Sequence, residues 1–277
     1  MDYVKAVMQP AITEPGDYEE NGLLMCGKCR TPKQTYVDMP DGKGGVVPRL
    51  CTITCQCKRE ALEIQRKEQQ QEEFAQYLLQ LRERDNVTDP AYLKMTLDMD
   101  DQKNPKLSAV CRRYIEQWDA MLEQNMGILF YGTVGTGKSF FACAIANELA
   151  KQMVPTVMTN FPRLLNLLQS SKDRQQLLDS LQSYKLLVID DLGVERDSSY
   201  AAEQVYSVID ARARAKLPLI VTTNLTMEDL KQPGTMQYSR IYDRVLEQCP
   251  ITLRMTGESR RAGSAALRAE QARKLLL

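Results

Sequence analysis

One eight-residue motif constrains this chain more than any other feature. Residues 132–139 read GTVGTGKS and fit the pattern G-x-x-x-x-G-K-[ST]. The apolar run ILFY precedes the motif and the Ala-rich segment FFACAIANELAKQM begins directly after it, which predicts a strand, a glycine loop and a helix in that order. Such a loop turns its backbone N–H groups toward a phosphate, and the helix N-terminus adds partial positive charge. The motif therefore predicts a site for a nucleotide phosphate.

The side chains of the motif have separate predicted roles. Lys138 supplies a positive charge to the β- and γ-phosphate oxygens, and the Ser139 hydroxyl is placed to bind Mg²⁺. We expect ATP and Mg²⁺ as ligands. The predicted nucleotide-binding set contains the motif and the residue after it: Gly132, Thr133, Val134, Gly135, Thr136, Gly137, Lys138, Ser139 and Phe140.

Five short apolar runs alternate with amphipathic segments from Gly127 onward. The runs are ILFY at 128–131, TVMT at 156–159, KLLVID at 185–190, LIVTTN at 219–224 and ITLRM at 251–255. Apolar strands that are separated by helices indicate a mostly parallel sheet covered on both faces. The predicted fold class is therefore α/β.

Polar residues end two of these runs, where strand ends would meet the phosphate loop. We expect Asp190 to hold Mg²⁺ opposite Ser139, and Asp191 to orient and polarise the attacking water. We expect Asn224 to hydrogen-bond that water or the γ-phosphate. A transition state at the γ-phosphate also gains from a guanidinium, and the candidates are Arg240, Arg244, Arg260 and Arg261.

Composition excludes several classes of protein. The 277 residues include 36 Lys+Arg, 36 Asp+Glu, 8 Cys and no His, so Ser-His-Asp catalysis, Cys-His catalysis and imidazole-ligated metals are ruled out. No apolar run approaches the ~18 residues of a membrane span, and no secretory signal is visible at the N-terminus. We therefore expect a cytoplasmic location, no membrane partner, and cysteines that are thiols or metal ligands.

Five of the eight cysteines fall between Cys26 and Cys57. Without His, a zinc site here must use four thiolates. Cys26 and Cys29 form one knuckle, whereas either Cys51 with Cys55 or Cys55 with Cys57 satisfies the spacing of the other half. Redox thiols, or clustering by chance, are the competing interpretation. Because about 60 residues bury too little core to fold unaided, Zn²⁺ would be structural.

The pattern along the chain predicts three regions. Residues 1–57 form a zinc-binding module, 58–105 a charged helix and a linker, and 106–277 the domain that carries the phosphate loop. In the second region apolar residues recur at helical spacing within a Glu-, Gln-, Arg- and Lys-rich stretch, which predicts one long, exposed helix. Asn104 followed by Pro105 predicts the start of the next helix, and apolar spacing predicts that it buries one stripe of residues: Leu107, Val110, Tyr114, Trp118 and Met121.

The motifs GTVGTGKS, LLVIDDLGVER, IVTTN, RIYDRVLEQC and GESRR occur in the order typical of the DnaC/IstB-like branch of AAA+ ATPases. The sequence resembles that family over about residues 86–261. It is most similar to the phage and Gram-positive type of DnaC-family replicative helicase loader, in which a zinc-binding module precedes the ATPase. The resemblance implies a P-loop AAA+ sheet flanked by helices, with a reduced lid because few residues separate Asn224 from Arg261.

The resemblance also implies roles and partners. Arg244 lies where the family carries its arginine finger, Arg261 lies at the second sensor, and Arg240 would support the interface. The family's Cys-x-Cys before a charged helix favours Cys55 and Cys57 as zinc ligands beside Cys26 and Cys29, with Cys51 as the alternate. The implied partners are a DnaB-type replicative helicase docked on the N-terminal module, single-stranded DNA, and further copies of this chain joined through the arginine finger.

We therefore predict an ATPase that loads the helicase and releases it on hydrolysis. An IstB-type helper of a transposase shares the same ATPase core and is the nearest alternative. A P-loop kinase would act on a small molecule and would leave Asn224 and Arg244 unexplained. A zinc-dependent adaptor, in which ATP only stabilises the fold, is a further alternative.

Overall fold

The computed structural model describes residues 13–40, 42, 44–85, 88–171, 173–193, 199–260, 272–274 and 276. Contacts divide the chain into two compact units, Met1–Glu73 and Phe74–Leu277. The division falls within one helix, α1 (Gln56–Asp85). This helix begins two residues before the predicted charged helix, and most of its described side chains are exposed.

The strands of the first unit form two antiparallel pairs. β1 (Tyr18–Glu20) pairs with β2 (Leu23–Met25), and β3 (Gln34–Pro40) pairs with β4 (Val46–Thr52). Among the described residues of this unit, the only buried apolar side chains are cysteines: Cys26, Cys51 and Cys55. A unit whose buried apolar side chains are all thiols lacks the apolar core on which larger domains depend.

Five parallel strands form the sheet of the second unit. They are β5 (Ile128–Gly132), β6 (Thr156–Asn160), β7 (Leu186–Leu192), β8 (Leu219–Thr223) and β9 (Ile251–Met255), in the order β6-β7-β8-β5-β9. The predicted α/β class with a parallel sheet is confirmed. Because β8 lies between β5 and β7, the ends of these three strands meet at one edge, where the phosphate loop follows β5.

Helices cover both faces of this sheet. In the described ranges they are α2 (Pro105–Glu116), α3 (Trp118–Glu123), α4 (Lys138–Lys151), α5 (Phe161–Ser170), α6 (Arg174–Leu181), α7 (Ser199–Ala215), α8 (Met227–Lys231) and α9 (Met236–Gln248). The Asn104 side chain accepts the N–H of Leu107 and caps α2, as the Asn-Pro pair predicted. Over the ranges described, no helix has both the length and the apolar composition that crossing a bilayer requires.

Alternate residues of the inner strands β5, β7 and β8 enter different cores, which is why these strands are largely apolar, whereas Thr252 and Arg254 of the edge strand β9 are exposed. Leu129 and Leu187 pack in one cluster with residues of α5, α7 and α9. Ile128 and Val188 point the other way, into a cluster with residues of α2 and α4.

The stretch before α2 is more ordered than a linker. It contains two short 3-10 helices, Pro90–Lys94 and Leu97–Met99. Their residues Tyr92 and Leu97 are buried in the cluster that contains α4. This stretch therefore packs on the helix that follows the phosphate loop.

Candidate nucleotide and metal sites

The phosphate loop connects β5 to α4 through backbone conformations that side chains disfavour. Gly132 has φ 126° and Gly137 has φ 101°, both in the region that favours glycine. A Cβ added to Gly132 would lie 2.2 Å from the carbonyl oxygen of Met255. The loop can therefore lie against β9 only because glycine occupies this position, and α4 begins at Lys138 directly after Gly137.

Lys138 is buried, with its ammonium turned toward the loop. Its Nζ donates to the carbonyl oxygens of Gly132 at 3.0 Å and Thr133 at 2.7 Å. The Thr136 hydroxyl donates to the same Thr133 carbonyl at 2.9 Å. The loop is thus held in a closed turn beside a buried positive charge, which attracts a phosphate.

A cavity of about 410 Å³ opens beside this loop. Eight of its lining residues belong to the predicted site: Val134, Gly135, Gly137, Lys138, Ser139, Phe140, Asp191 and Asn224. Three were not assigned to the site from the sequence, Met95, Met99 and Asp101, and the fourth, Arg260, was one of the candidate arginines. The other predicted loop residues line neighbouring cavities, Thr136 one of about 770 Å³ and Gly132 with Thr133 one of about 280 Å³.

The two aspartates at the end of β7 differ in environment. The pairing of β7 with β8 shifts register between Ile189 and Leu192, and Asp191 has φ 59°. Such an irregularity redirects a side chain. Asp191 lines the cavity, whereas Asp190 is buried and its Oδ1 accepts from the hydroxyl of Thr222 on β8. The Thr222 hydroxyl also accepts the N–H of Asp191 at 3.0 Å.

A tyrosine that sequence reasoning missed completes the surroundings of Asp190. The Tyr92 hydroxyl donates to Asp190 Oδ2 at 3.0 Å, so each oxygen of this carboxylate accepts a hydrogen bond. The two residues lie 98 positions apart, and no local motif marks Tyr92. Burial, followed by the Asp190 charge, raises the pKa of Tyr92 above its usual range, so its hydroxyl is a donor near neutral pH.

Among the residues that the structure describes, Arg260 is the arginine that lines this cavity. Its backbone N–H donates to the Gly135 carbonyl at 2.9 Å, its guanidinium pairs with Asp101 at 3.2 Å, and the guanidinium lies 5.8 Å from the ring centroid of Phe141. The sequence left Arg260 among the candidates without a role. Arg261, the predicted second sensor, lies outside the described residues.

The other two candidate arginines lie on α9 and do not line the cavity. Arg244 pairs with Asp210 of α7 at 3.2 Å and with Glu247 at 2.5 Å. These acids, Glu247 first, raise the pKa of Arg244. Arg240 lies over the ring of Tyr206 at 5.5 Å. Both arginines of α9 thus contact residues of α7 and not the cavity of their own chain.

The predicted Mg²⁺ and ATP ligands fit the residues present. Ser139 lines the cavity, and Asp190 precedes the cavity-lining Asp191 on β7, although Asp190 itself does not line the cavity. Hydroxyl and carboxylate oxygens are the donors that Mg²⁺ prefers. The glycine loop provides a backbone cradle that a Cβ at Gly132 would disrupt, as a bound triphosphate requires.

Four thiols of the first unit converge. The sulfur atoms of Cys26, Cys29, Cys55 and Cys57 all lie within 4.8 Å of one another. Cys57 Sγ is 3.6 Å from the sulfurs of both Cys26 and Cys55. Because Zn–S bonds of ~2.3 Å place tetrahedral sulfurs ~3.8 Å apart, this cluster fits Zn²⁺. Cys51 is buried on β4 and is not a member of the cluster.

The thiols differ in acidity within this cluster. The Thr31 hydroxyl, followed by the Cys57 backbone N–H, lowers the pKa of Cys29 to about 5. Hydrogen bonds with Cys29 first, and then with Cys55 and Cys26, raise the pKa of Cys57 to about 12. Four sulfurs this close can bind one metal ion together, because the ion displaces the thiol protons and neutralises the negative charge of the thiolates.

Asp17 supports the first knuckle. Its carboxylate accepts the N–H groups of Glu14 at 2.8 Å and Gly27 at 3.0 Å, and it pairs with Lys33 at 2.5 Å. The Glu14 N–H, followed by Lys33, lowers the pKa of Asp17 to about 2. Asp17 therefore ties the turn between Cys26 and Cys29 to the preceding loop and to Lys33, the residue before β3.

The fold and the loop define a P-loop protein with the AAA+ type of parallel sheet. Residues 67–267 match the family described as IstB-like ATP binding protein. This match covers more than half of the chain, and the chain belongs to that family. The predicted resemblance to the DnaC/IstB-like branch is confirmed.

Two curated relatives are replicative helicase loaders. The chain is 30% identical over 139 residues to the replicative helicase loader DnaC of Escherichia coli (strain K12), covering 48% of this chain and 54% of DnaC. It is 29% identical over 151 residues to the replicative helicase loader DnaI of Bacillus subtilis (strain 168), covering 50% of this chain and 48% of DnaI. The chain thus spans about half the length of the curated relatives it matches.

Solved structures show the same fold. A crystal structure of DnaI matches with a TM-score of 0.52 and 25% identity, covering 62% of this chain and 94% of the other. A crystal structure of the DnaC helicase loader matches with a TM-score of 0.51 and 22% identity, covering 61% of this chain and all of the other.

Proposed function

We propose that this protein is an ATPase that loads a replicative helicase, holding helicase and single-stranded DNA with ATP bound and releasing them on hydrolysis. The observation that carries the proposal is the cavity in which Lys138, Ser139, Asp191 and Asn224 converge beside the phosphate loop. The relatives named as helicase loaders support the choice of substrate and partner.

The cavity residues divide the work of hydrolysis. Lys138 neutralises charge on the β- and γ-phosphates, and Asp191 orients and polarises a water for attack. Asn224 hydrogen-bonds the water or the γ-phosphate. Ser139 and Asp190 would hold Mg²⁺, which supplies charge neutralisation at the phosphates when it is bound. The apolar side chains of Met95 and Met99 offer a wall for the purine base.

A second copy of the chain would complete the site. Arg244 lies on α9 outside the cavity and is held by Asp210 and Glu247. A guanidinium delivered in trans raises the rate of phosphoryl transfer by about 10³- to 10⁵-fold in the systems where it has been measured. Turnover should therefore depend on protein concentration and on DNA that assembles the copies.

The N-terminal thiol cluster supports the loader over the transposase helper. We infer that Zn²⁺ holds the first unit together and that this unit docks on a DnaB-type helicase. The family to which the chain belongs also includes IstB-like proteins, so an IstB-type helper is the second candidate.

The nucleotide step is tested with a matched pair of lysines on α4. Lys138→Ala should abolish binding of a fluorescent ATP analogue, because it removes the buried charge beside the loop. Lys151→Ala should leave it unchanged, because Lys151 lies at the other end of the same helix and pairs with Glu148. Equal binding by the Lys138→Ala variant and the wild type would remove the basis of the proposal.

The partner is tested by a pull-down of the host replicative helicase. Wild-type protein and the Cys51→Ser variant should capture the helicase. The Cys26→Ser variant should lose both zinc and helicase, because Cys26 belongs to the thiol cluster and Cys51 does not. Capture of a transposase in place of the helicase would favour the transposition helper.

A further inference from the structure

We propose that Tyr92 is a positioning residue for the Asp190 carboxylate and thereby sets how well the site holds Mg²⁺. This inference rests on the proposed ATPase function. Tyr92 lies on the 3-10 helix Pro90–Lys94 and is 9% exposed. Its hydroxyl donates to Asp190 Oδ2 at 3.0 Å, while the Thr222 hydroxyl donates to Oδ1. The carboxylate is therefore fixed from both sides.

A third residue directs the proton of the Tyr92 hydroxyl. Asn160 caps α5, where its Oδ1 accepts the N–H of Arg163 at 2.9 Å. This contact leaves its amide nitrogen to face Tyr92, and Asn160 Nδ2 lies 3.5 Å from the Tyr92 oxygen. Because the hydroxyl accepts from Asn160, its own proton is directed to Asp190.

The backbone of Tyr92 is tied to the helix that begins at the phosphate loop. Asn147, a buried residue of α4, donates through Nδ2 to the carbonyl oxygens of Tyr92 at 2.8 Å and Met95 at 2.7 Å. The same helix carries Lys138 and Ser139. Tyr92 thus connects the expected Mg²⁺ carboxylate on β7 to the helix that carries the expected Mg²⁺ hydroxyl.

The tyrosine does more than fill space in the core. A phenylalanine would pack in the same volume, but the buried Asp190 would lose one donor. A hydrogen bond to a charged group is among the stronger ones in proteins, and its loss leaves the carboxylate oxygen unpaired and less well oriented. The affinity that Mg²⁺ adds to nucleotide binding should therefore depend on this one hydroxyl.

The test compares Tyr92→Phe with Tyr114→Phe. Tyr114 is also buried and also donates one hydrogen bond, to the Met126 carbonyl at 2.8 Å, but it does not line the nucleotide cavity. Binding of a fluorescent ATP analogue is measured in excess Mg²⁺ and in EDTA. Tyr92→Phe should reduce the gain in affinity due to Mg²⁺ by about 10-fold, while affinity in EDTA stays within about 2-fold. Tyr114→Phe should keep the wild-type gain.

Two outcomes would overturn the inference. One is a Mg²⁺-dependent gain in Tyr92→Phe equal to that of the wild type, and the other is an equal reduction in Tyr114→Phe. If Tyr92→Phe does not fold, Asn160→Ser decides, since serine preserves the helix cap and removes the amide donor; it should reduce the gain by about 3-fold, and an unchanged gain would overturn the inference. Wild-type protein without affinity for nucleotide would instead contradict the proposed function.

Discussion

The hydroxyl group of Thr222 donates a hydrogen bond to the Asp190 carboxylate on the neighbouring strand. The same hydroxyl accepts the N–H of Asp191, the residue that the β7 irregularity turns toward the cavity. One threonine therefore orients both aspartates, although it lies within an apolar strand and resembles an ordinary buried β-branched residue.

Thr222→Val should separate nucleotide binding from hydrolysis. Valine keeps the shape but removes a buried hydrogen bond worth about 1–3 kcal/mol, which corresponds to a loss of roughly 5- to 160-fold in turnover if it acts on the transition state. Binding of ATP should persist, because Lys138 and the loop are unchanged. Steady-state ATPase assays and equilibrium binding measure the two quantities.

Thr159→Val is the matched control for this variant. Thr159 is a buried threonine on β6, and its hydroxyl lies 3.5 Å from the Asn160 carbonyl oxygen. Its replacement should leave turnover within about 2-fold of the wild type. Equal losses in the two variants would show that a buried hydroxyl in this sheet matters only for stability.

The thiol cluster predicts that Cys51 is not a zinc ligand. The purified protein should contain about one Zn²⁺ per chain, and Cys51→Ser should retain it because Cys51 lies outside the thiol cluster. Cys55→Ser and Cys57→Ser should each lose it. Zinc content is measured by metal analysis, and circular dichroism follows the first unit during chelation.

Retention of zinc by Cys57→Ser together with loss by Cys51→Ser would reverse this assignment. It would restore the Cys51-x₃-Cys55 alternative that spacing alone leaves open. The zinc contents of the Cys51→Ser and Cys57→Ser variants therefore decide which of these two cysteines completes the ligand set with Cys55.

The sequence could predict those elements of the site that local patterns specify. The phosphate loop at 132–139 and the aspartates at the end of β7 are short patterns whose geometry follows from adjacent elements. Tyr92 could not be found in this way, since it contacts Asp190 across 98 positions. Val110 was expected on the buried stripe of α2 but is 39% exposed. The buried stripe instead includes Cys111, and the predicted single helix is divided, because α2 ends at Glu116 and a separate helix begins at Trp118.

Arg244→Ala should retain ATP binding and lose DNA-stimulated hydrolysis by about 100-fold or more. The arginine lies outside the cavity of its own chain, so its removal does not alter the phosphate loop. Turnover is measured at several protein concentrations with and without single-stranded DNA.

Arg214→Ala is the control for this experiment. Arg214 pairs with the same Asp210 carboxylate at 3.3 Å, but it lies on α7 with a side chain that is 73% exposed. Its removal should leave hydrolysis intact. If the Arg244→Ala variant hydrolyses ATP normally as a dilute monomer, a site that a second copy completes is excluded. The alternative function as a P-loop kinase then gains support.

Asp17→Asn should weaken the first unit in a pH-dependent manner. The pKa of Asp17 is lowered to about 2 by the Glu14 N–H and then by Lys33, so the ionised form stabilises the fold above about pH 4 and this contribution is lost as the pH falls toward 2. The variant should therefore unfold at a lower temperature than the wild type at pH 7, and the difference should shrink below pH 4. Asp38→Asn, an exposed change on β3, is the control. A difference that grows on acidification would contradict this role.

Arg212 offers the clearest test of stability in the second unit. Its guanidinium is 1% exposed and donates to four carbonyl oxygens, those of Leu181, Tyr184, Lys185 and Pro218. Burial lowers the pKa of Arg212 to about 9, so the side chain remains charged at neutral pH. Arg212 joins the ends of α6 and α7 to the starts of β7 and β8. These strand starts lie at the end of the sheet opposite the phosphate loop.

Arg212→Lys should destabilise the fold although it preserves the charge. An ammonium cannot reproduce the planar fork that reaches several carbonyls at once, and each buried acceptor left unpaired costs about 1–3 kcal/mol. A loss of about 3 kcal/mol would lower the unfolding midpoint by roughly 6–12 °C for a unit of this size. Arg214→Lys on the same helix should shift it by less than about 2 °C. Thermal unfolding followed by circular dichroism measures both, and equal midpoints for the two variants would mean that the four carbonyl contacts contribute nothing to stability.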